Sequence, residues 1–396
     1  MSNLGTNLRS LWRFHRLLGG ILVVEYALTF AISLSATNLL MDRAHAIGES
    51  SGVVEQGLYV LQGVGVGTPV HRADVLEAKQ RFQALVGAEN VAEGSSVPFL
   101  GMFSSDMEIG VAGNSMEAES VRAEVYEGGA DFTKVLGALL LRGRKFNVDE
   151  VAQRFGSSTH VTILSETLAT RLFHDEEAVG KQVSIAGKMH TVVGVIAPLA
   201  APEYLGRQLT MQTLLLPKVA GSAQLLVIRY DNSGPSLDGV LNGLNKDYAG
   251  RVNWSLAPYA SIRSAYFEQD RLAVAALCGI LCVVLVTALC GILGLTNYWI
   301  SKRRPQIAIR RALGGSKRSV IAHFLGESSL LVAFGLVFGL ALNFAFSAYL
   351  HVPQPHAGIE VWSVSIALIV LLAVLVIGAS LRRWLRIEPA ELMRAI

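Results

Sequence analysis

Four long apolar runs constrain this chain more than any other feature, because about 20 apolar residues in a helix suffice to cross a bilayer. The first, LLGGILVVEYALTFAISLSATNLL, occupies residues 17–40. The other three come after a 230-residue interval, at 271–300, 320–350 and 361–381. At ~1.5 Å per residue the second and third exceed ~30 Å of hydrocarbon. Composition agrees, since 52% of the 396 residues are hydrophobic and only 16% charged, against about a quarter charged in ordinary soluble domains. The expected fold is an α-helical membrane protein with four transmembrane helices plus a mixed α/β extracytoplasmic domain.

Basic residues precede the first run, as in a signal peptide. Its apolar stretch outruns the ~7–15 residues of an ordinary signal h-region and contains Glu25. An uncleaved anchor is expected. Orientation follows from Lys and Arg in short segments. The N-terminal tail, 1–16, carries Arg9, Arg13 and Arg16; the segment 301–319 carries seven Lys or Arg; the C-terminal tail, 382–396, carries four Arg. The short loop 351–360, HVPQPHAGIE, carries none. Both termini and the basic loop are therefore expected in the cytoplasm, and residues 41–270 outside it. That outer interval holds 19 Lys or Arg against 26 Asp or Glu.

Residues 41–270 have mixed α/β patterning. GLYVLQGVGVG reads as a strand running into a glycine-rich turn. ADVLEAKQRFQALVG places Val75, Ala78, Phe82 and Leu85 on one helical stripe, with Gly87 as its stop. DFTKVLGALLLRGRKF reads as a short helix and turn, and VTILSETLATRLF as a strand followed by a helix capped by Ser165. GKQVSIAGKMHTVVGVIAP reads as a hairpin turning near Ala186 and Gly187. TLLLPK, QLLVIRY and VNWSLAP read as later strands.

Chemistry is sparse. The histidines of this interval, His45, His71, His160, His174 and His190, form no HxxxH or HExxH pair, and no GxSxG elbow occurs. Asp149-Glu150 and Asp175-Glu176-Glu177 sit beside turns, where solvated charge is the ordinary reading. Cys278, Cys282 and Cys290 all fall in the second apolar run. They lack disulfide or metal spacing and are expected to be buried thiols acting as small hydrophobes. No catalytic residue, resident cofactor or metal is expected.

Several segments, taken in order, resemble the FtsX/MacB-type ABC transporter permeases. IAIRRALGGSKRSVIAHFLGES resembles the family's loop near I-G-I-R-R-A-L-G-A and the span after it with its Glu-Ser pair. RIEPAELMRAI resembles the closing D-P-A-E-A-L-R. DFTKVLGALLLRGRKF, VTILSETLATRLF and VGKQVSIAGKMHTVVGVI resemble the MacB-like periplasmic core pattern. The order of one span, a large outer domain and three spans matches as well. This chain departs in having Gln306 where glutamate is usual, Ala308 for glycine, and Pro305 just upstream.

The resemblance implies a cell inner-membrane permease that pairs with a second copy or a paralogue and works as a mechanotransmitter for an ABC ATPase. MacB itself carries its ATPase on the same chain. Here no G-x-x-x-x-G-K-[ST] is found, and the flanks 1–16 and 382–396 are too short for an ATPase. ATP hydrolysis, with its ATP and magnesium, is therefore expected on a separate chain. A periplasmic adaptor and an outer-membrane channel are further partners that a MacB-type exporter implies.

The expected coupling segment is Pro305, Gln306, Ile307, Ile309, Arg310, Arg311, Ala312, Leu313 and Gly314. Pro305 suits a first helical turn. Ile309, Ala312 and Leu313 form an apolar stripe flanked by Arg310 and Arg311, and Gly314-Gly315 ends the helix. Docking to the ATPase and lying on anionic membrane lipid both fit these residues; each charge near such a surface is worth about 1 kcal/mol. Nucleic acid is excluded as a partner by membrane tethering and the lack of aromatics for stacking. Glu25 and Glu327 are intramembrane carboxylates, expected to face protein in a structural or a coupling role. Gly335 and Gly339 form a GxxxG suited to close helix packing.

Within the same superfamily, lipoprotein release and FtsX-like control of cell-wall hydrolases are alternatives. An FtsX-like protein has a smaller outer domain. From another class, a ligand-sensing receptor needs a cytoplasmic signalling module, for which this sequence has no room.

Overall fold

The computed structural model describes residues 16–100, 106–111, 120–151, 160–174, 176–201, 211–217, 225–231, 234–302, 317–350 and 358–385. The chain divides into two compact units. One is helical, drawn from residues 1–47 and 270–396; the other, Gly48–Gln269, is the α/β domain.

Helix α1 spans Arg16–Gly48. In the α/β domain the chain then forms β1 (Leu58–Gly65), α2 (Arg72–Val86), β2 (Val91–Gly94), β3 (Asp106–Val111) and β4 (Val121–Gly128). Next come α3 (Phe132–Leu136), β5 (Leu140–Gly143), α4 (Val148–Val151), β6 (Val161–Ser165), α5 (Glu166–Phe173), β7 (Gln182–Ile185) and β8 (Lys188–Ile196). The domain closes with β9 (Thr213–Pro217), β10 (Leu225–Arg229), α6 (Leu237–Asp247), β11 (Val252–Pro258) and α7 (Tyr259–Tyr266). Three long helices follow: α8 (Glu268–Lys302), α9 (Lys317–Leu350) and α10 (Ile359–Leu385).

The domain has two lobes. Strands β11, β1, β10 and β2 lie side by side in that order, all antiparallel. Helices α2 and α6 pack on this sheet through Val75, Ala78, Phe82, Leu237 and Leu244. This is the split β-α-β arrangement of ferredoxin-like folds. Helix α2 stops where its stripe stops: Gly87 adopts φ 93° and its N–H donates to the Gln83 carbonyl at 2.9 Å.

The second lobe is inserted between β2 and β10. Its strands close in a ring: β4 pairs β3, β3 pairs β7, β7 pairs β8, β8 pairs β6, β6 pairs β9, and β9 returns to β4. The β8–β6 and β9–β4 pairs are parallel. Closure removes the open edges of a six-stranded sheet, and β5 pairs with β8 outside the ring. Helix α5 fills the core with Leu168, Leu172 and Phe173, against Ile109, Val125 and Leu214. Ser165 sets its start, accepting from the Leu168 N–H (3.4 Å) and the Thr213 N–H (3.1 Å) and donating to the Met211 carbonyl (2.8 Å). One residue therefore caps the helix and ties it to β9. The β7–β8 hairpin turns on Ala186 and Gly187 at φ 49° and 78°, both positive as a two-residue I′ turn requires.

Among the described residues a single ladder pair, Gly94 with Gly128, joins sheet to barrel. The fully buried Phe132 ring lies over both glycines, and a Cβ on either would run into it. Glycine there is a packing requirement.

In the helical unit, α1 presents Leu22, Tyr26, Phe30 and Leu34 to Ile292 of α8, Leu331 of α9, and Ile369 and Val376 of α10. All four long helices are long and apolar enough to cross a membrane. Helix α1 continues through Gly48, past residue 40, where its apolar run ends. The polar turns beyond it include Arg43, which pairs with Asp270 of α8. The cysteines differ from expectation. Cys278, Cys282 and Cys290 are exposed, because α8 turns most of its apolar surface away from the other helices and no residue of 271–287 is buried.

Candidate functional site

Of the residues singled out in the sequence, Pro305, Gln306, Ile307, Ile309, Arg310, Arg311, Ala312, Leu313 and Gly314 lie outside the described residues. Glu25, Gly335 and Gly339 lie where α1 meets its neighbours. Gly335 of α9 faces Tyr26, and Gly339 faces Ala27 and Phe30, so closely that a Cβ on either would overlap α1. The Glu25 carboxylate lies against Gly291 of α8 in the same manner. Glu327 is fully buried. One turn beyond Gly339, the Asn343 side-chain N–H donates to Ser35 Oγ (2.7 Å) and to the Ala31 carbonyl (3.4 Å). Glycine contacts and short side-chain hydrogen bonds are the usual means of holding helices together where burial gains little.

A second cluster, within the α/β domain, has no counterpart among the sequence expectations. The chain enters the domain through a strap, residues 49–57, and leaves it through α7. The Glu55 carboxylate accepts from Ser51 Oγ (2.7 Å) and pairs with Arg263 of α7. Arg263 also donates to the Glu49 carbonyl at 2.6 Å. From β10, Arg229 donates to three carbonyls: Val135 (2.8 Å), Gln56 (3.2 Å) and Val54 (3.1 Å). Backbone bonds add to these, from Val54 N to Leu136 O (3.0 Å), Ala200 N to Ser51 O (3.0 Å) and Tyr230 N to Gly57 O (2.7 Å).

The links between the lobes come to the same place. Phe99, just after β2, is buried at φ 63°. Its ring meets Phe267 at 5.0 Å and Tyr266 at 5.4 Å, with the Arg263 guanidinium 5.6 Å away. Just after β8, the Ala200 carbonyl accepts from Tyr126 Oη at 2.5 Å. Burial pushes the Tyr126 and Tyr259 phenols well above their ordinary range, and burial pulls the Arg229 guanidinium down. Tyr126 and Arg229 serve as donors here, to the Ala200 carbonyl and to the Val135, Gln56 and Val54 carbonyls. The arrangement can carry force; among the described residues it holds no group of three or more His, Cys, Asp or Glu that could bind a metal.

Sequence reading missed Arg229, Arg263, Glu55, Ser51 and Phe99. One signal was available: Arg229 ends the apolar strand LLVIR, where a charge costs free energy unless its donors are satisfied.

Two family models match. The MacB-like periplasmic core domain covers residues 27–257, more than half of the chain, and the FtsX-like permease C-terminal region covers 279–389. The chain belongs to the FtsX-like permeases that carry a MacB-like periplasmic core domain. It is thus a member of the MacB-like ABC transporter permease family. Among curated relatives, the macrolide export ATP-binding/permease protein MacB of Aggregatibacter actinomycetemcomitans is 22% identical over 228 residues, 56% of this chain and 35% of the relative. MacB of Chromobacterium violaceum is 26% identical over 238 residues, 57% of this chain and 36% of the relative. The uncharacterized ABC transporter permease YvrN of Bacillus subtilis is 24% identical over 291 residues, 68% of this chain and 70% of the relative. The matched part of this permease thus spans about a third of the MacB relatives' length. Among solved structures, the periplasmic region of MacB from Actinobacillus actinomycetemcomitans aligns with a TM-score of 0.39 at 18% identity, over 56% of this chain and 97% of that one.

Proposed function

We propose that this permease is a non-catalytic transmembrane subunit of a MacB-type ABC exporter and works as a mechanotransmitter. A separate ATPase chain binds ATP and magnesium in the cytoplasm, and its cycle shifts the four spans and with them the periplasmic α/β domain. The observation that carries the reading is the linkage of the domain's two ends to each other: the strap from α1 and the helix leading to α8 are joined by Glu55–Arg263 and by Arg263 to the Glu49 carbonyl. A domain whose entrance and exit are bolted together moves as a body when its supporting helices move.

The distribution of basic residues supports an inner-membrane orientation with both termini inside. The family supports a dimer, with a second copy or a paralogue. Within these 396 residues no G-x-x-x-x-G-K-[ST] occurs, which supports an ATPase supplied from outside them. Pro305 to Gly314 is its docking segment. An adaptor and an outer-membrane channel complete the export path. Leu313→Asp tests this: ATPase recruitment is lost while membrane insertion persists. Normal recruitment by the variant contradicts the docking segment.

A further inference from the structure

Among the described residues the two lobes share one ladder pair, Gly94 with Gly128, which makes a weak joint by itself. The strap 49–57 touches both sides of that joint. Toward the sheet it is held by Arg229 of β10, by the Tyr230 N–H and by Arg263 of α7. Toward the barrel it is held by the Ala200 N–H just after β8, which donates to the Ser51 carbonyl; the Leu136 carbonyl that accepts from Val54 belongs to α3, which packs on β10 and β2 of the sheet. On the sheet side Arg229 ties the strap to α3, because its Nε holds the Val135 carbonyl while its two Nη groups hold the strap. Glycine allows close approach on the barrel side: Gly52, at φ 78°, packs on the Pro198 carbonyl with no room for a Cβ.

We propose that Arg229 and Arg263 are positioning residues that latch the strap 49–57 to the sheet lobe and so hold its Ser51 carbonyl against the Ala200 N–H on the barrel side, so that movement of α1 drives sheet and barrel together. This rests on the mechanotransmitter reading and deepens it. Without the latches, displacement of α1 dissipates in a slack strap or splits the lobes at the Gly94–Gly128 joint. Guanidinium bonds to carbonyls suit the task. They are charge-assisted, they keep their proton across the physiological range, and Arg229 spreads its hold over three acceptors.

The test uses the full-length protein in lipid nanodiscs, followed by amide hydrogen exchange. In Arg229→Met and Arg263→Met the Val54 and Ala200 amides exchange about 10- to 100-fold faster, as expected for losing charged hydrogen bonds at a local opening. Amides within β1, β6 and β10 keep their protection. The milder Arg229→Lys, and Glu55→Arg combined with Arg263→Glu, guard against misfolding; the charge swap restores protection that Arg263→Glu alone removes. The functional arm uses the permease co-purified with its ATPase. Cys278, Cys282 and Cys290 are replaced by Ser, and spin labels are placed at Val66 and Leu139, exposed positions of the two lobes. The latch predicts that nucleotide changes the lobes' positions relative to the spans coherently in the wild type. In the Met variants it predicts a widened label-to-label distribution at unchanged ATP turnover. Unchanged strap exchange, or an unchanged distance distribution, overturns the latch. If no ATPase co-purifies, the mechanotransmitter reading fails and the exchange arm alone judges the strap.

Discussion

The α/β domain and the helical unit hold themselves together by different means. The domain buries apolar side chains throughout its interior and matches buried acids to bases, as with Asp74 and Arg251 at 2.9 Å and Glu93 and Lys79 at 3.0 Å. The helical unit leaves faces as apolar as its contacts exposed, including Val283 of α8 and Val337 of α9. Close contacts in it are made by glycines: Gly335 and Gly339 of α9 against α1, and Gly291 of α8 beneath Glu25. In water, burial supplies the driving force. Where the surroundings are as apolar as the side chains, shape and short polar contacts decide. Enlarging a contact should therefore harm the helices, whereas deleting a side chain should harm the domain.

The largest effect expected from that contrast is in the domain. Phe132→Ala removes the ring that covers the lobe joint and should cost about 3–5 kcal/mol, read by denaturant titration of the full-length protein. A cost below about 1 kcal/mol would mean that the joint does not depend on the ring. Next is Gly339→Leu, where overpacking against α1 costs about 1–3 kcal/mol. Cysteines placed at Ser35 and Asn343, in a background lacking the native thiols, should cross-link readily in the parent and poorly in the variant. Equal cross-linking would refute close packing as the basis of α1–α9 association.

Two smaller predictions concern pH. Hydrogen bonds from Arg144, above all, hold the Glu150 carboxyl below its ordinary value near 4.5. Its contribution is present above that value and lost as pH falls through the lower folded one. The pair is partly solvated, so Glu150→Gln should cost no more than about 1 kcal/mol and flatten the acid limb of the stability curve below pH 4.5; an unchanged limb contradicts this. Burial, first of all, lowers the His190 imidazole from its ordinary 6.5, so the fold favours the neutral ring. Stability from this group is complete above pH 6.5 and declines below it, and His190→Gln should remove that part of the slope. Retention of the full slope would assign it to another group.

Much of the domain's local structure was legible because its signals are local: the α2 stripe with its Gly87 stop, the Ser165 cap and the Ala186-Gly187 turn each lie within a few residues. Barrel closure was not, because β4 and β9 are far apart in sequence and pair in parallel, and hydropathy patterns carry no partner identity. The insertion between β2 and β10 was hidden for the same reason. The strap carried no sequence signal, since Glu55, Arg229 and Arg263 are remote in sequence and only the fold gathers them. The thiols of α8 show another limit: an apolar run has the same pattern whether its residues meet protein or face outward.

The central claim is that this permease converts the work of a separate ATPase into movement of its α/β domain. The most direct test is affinity purification of the tagged full-length permease in mild detergent, with identification of what elutes. The account predicts an ABC ATPase chain bearing a P-loop, retained by the wild type and lost from Leu313→Asp. Elution of the permease with no ATPase would contradict it.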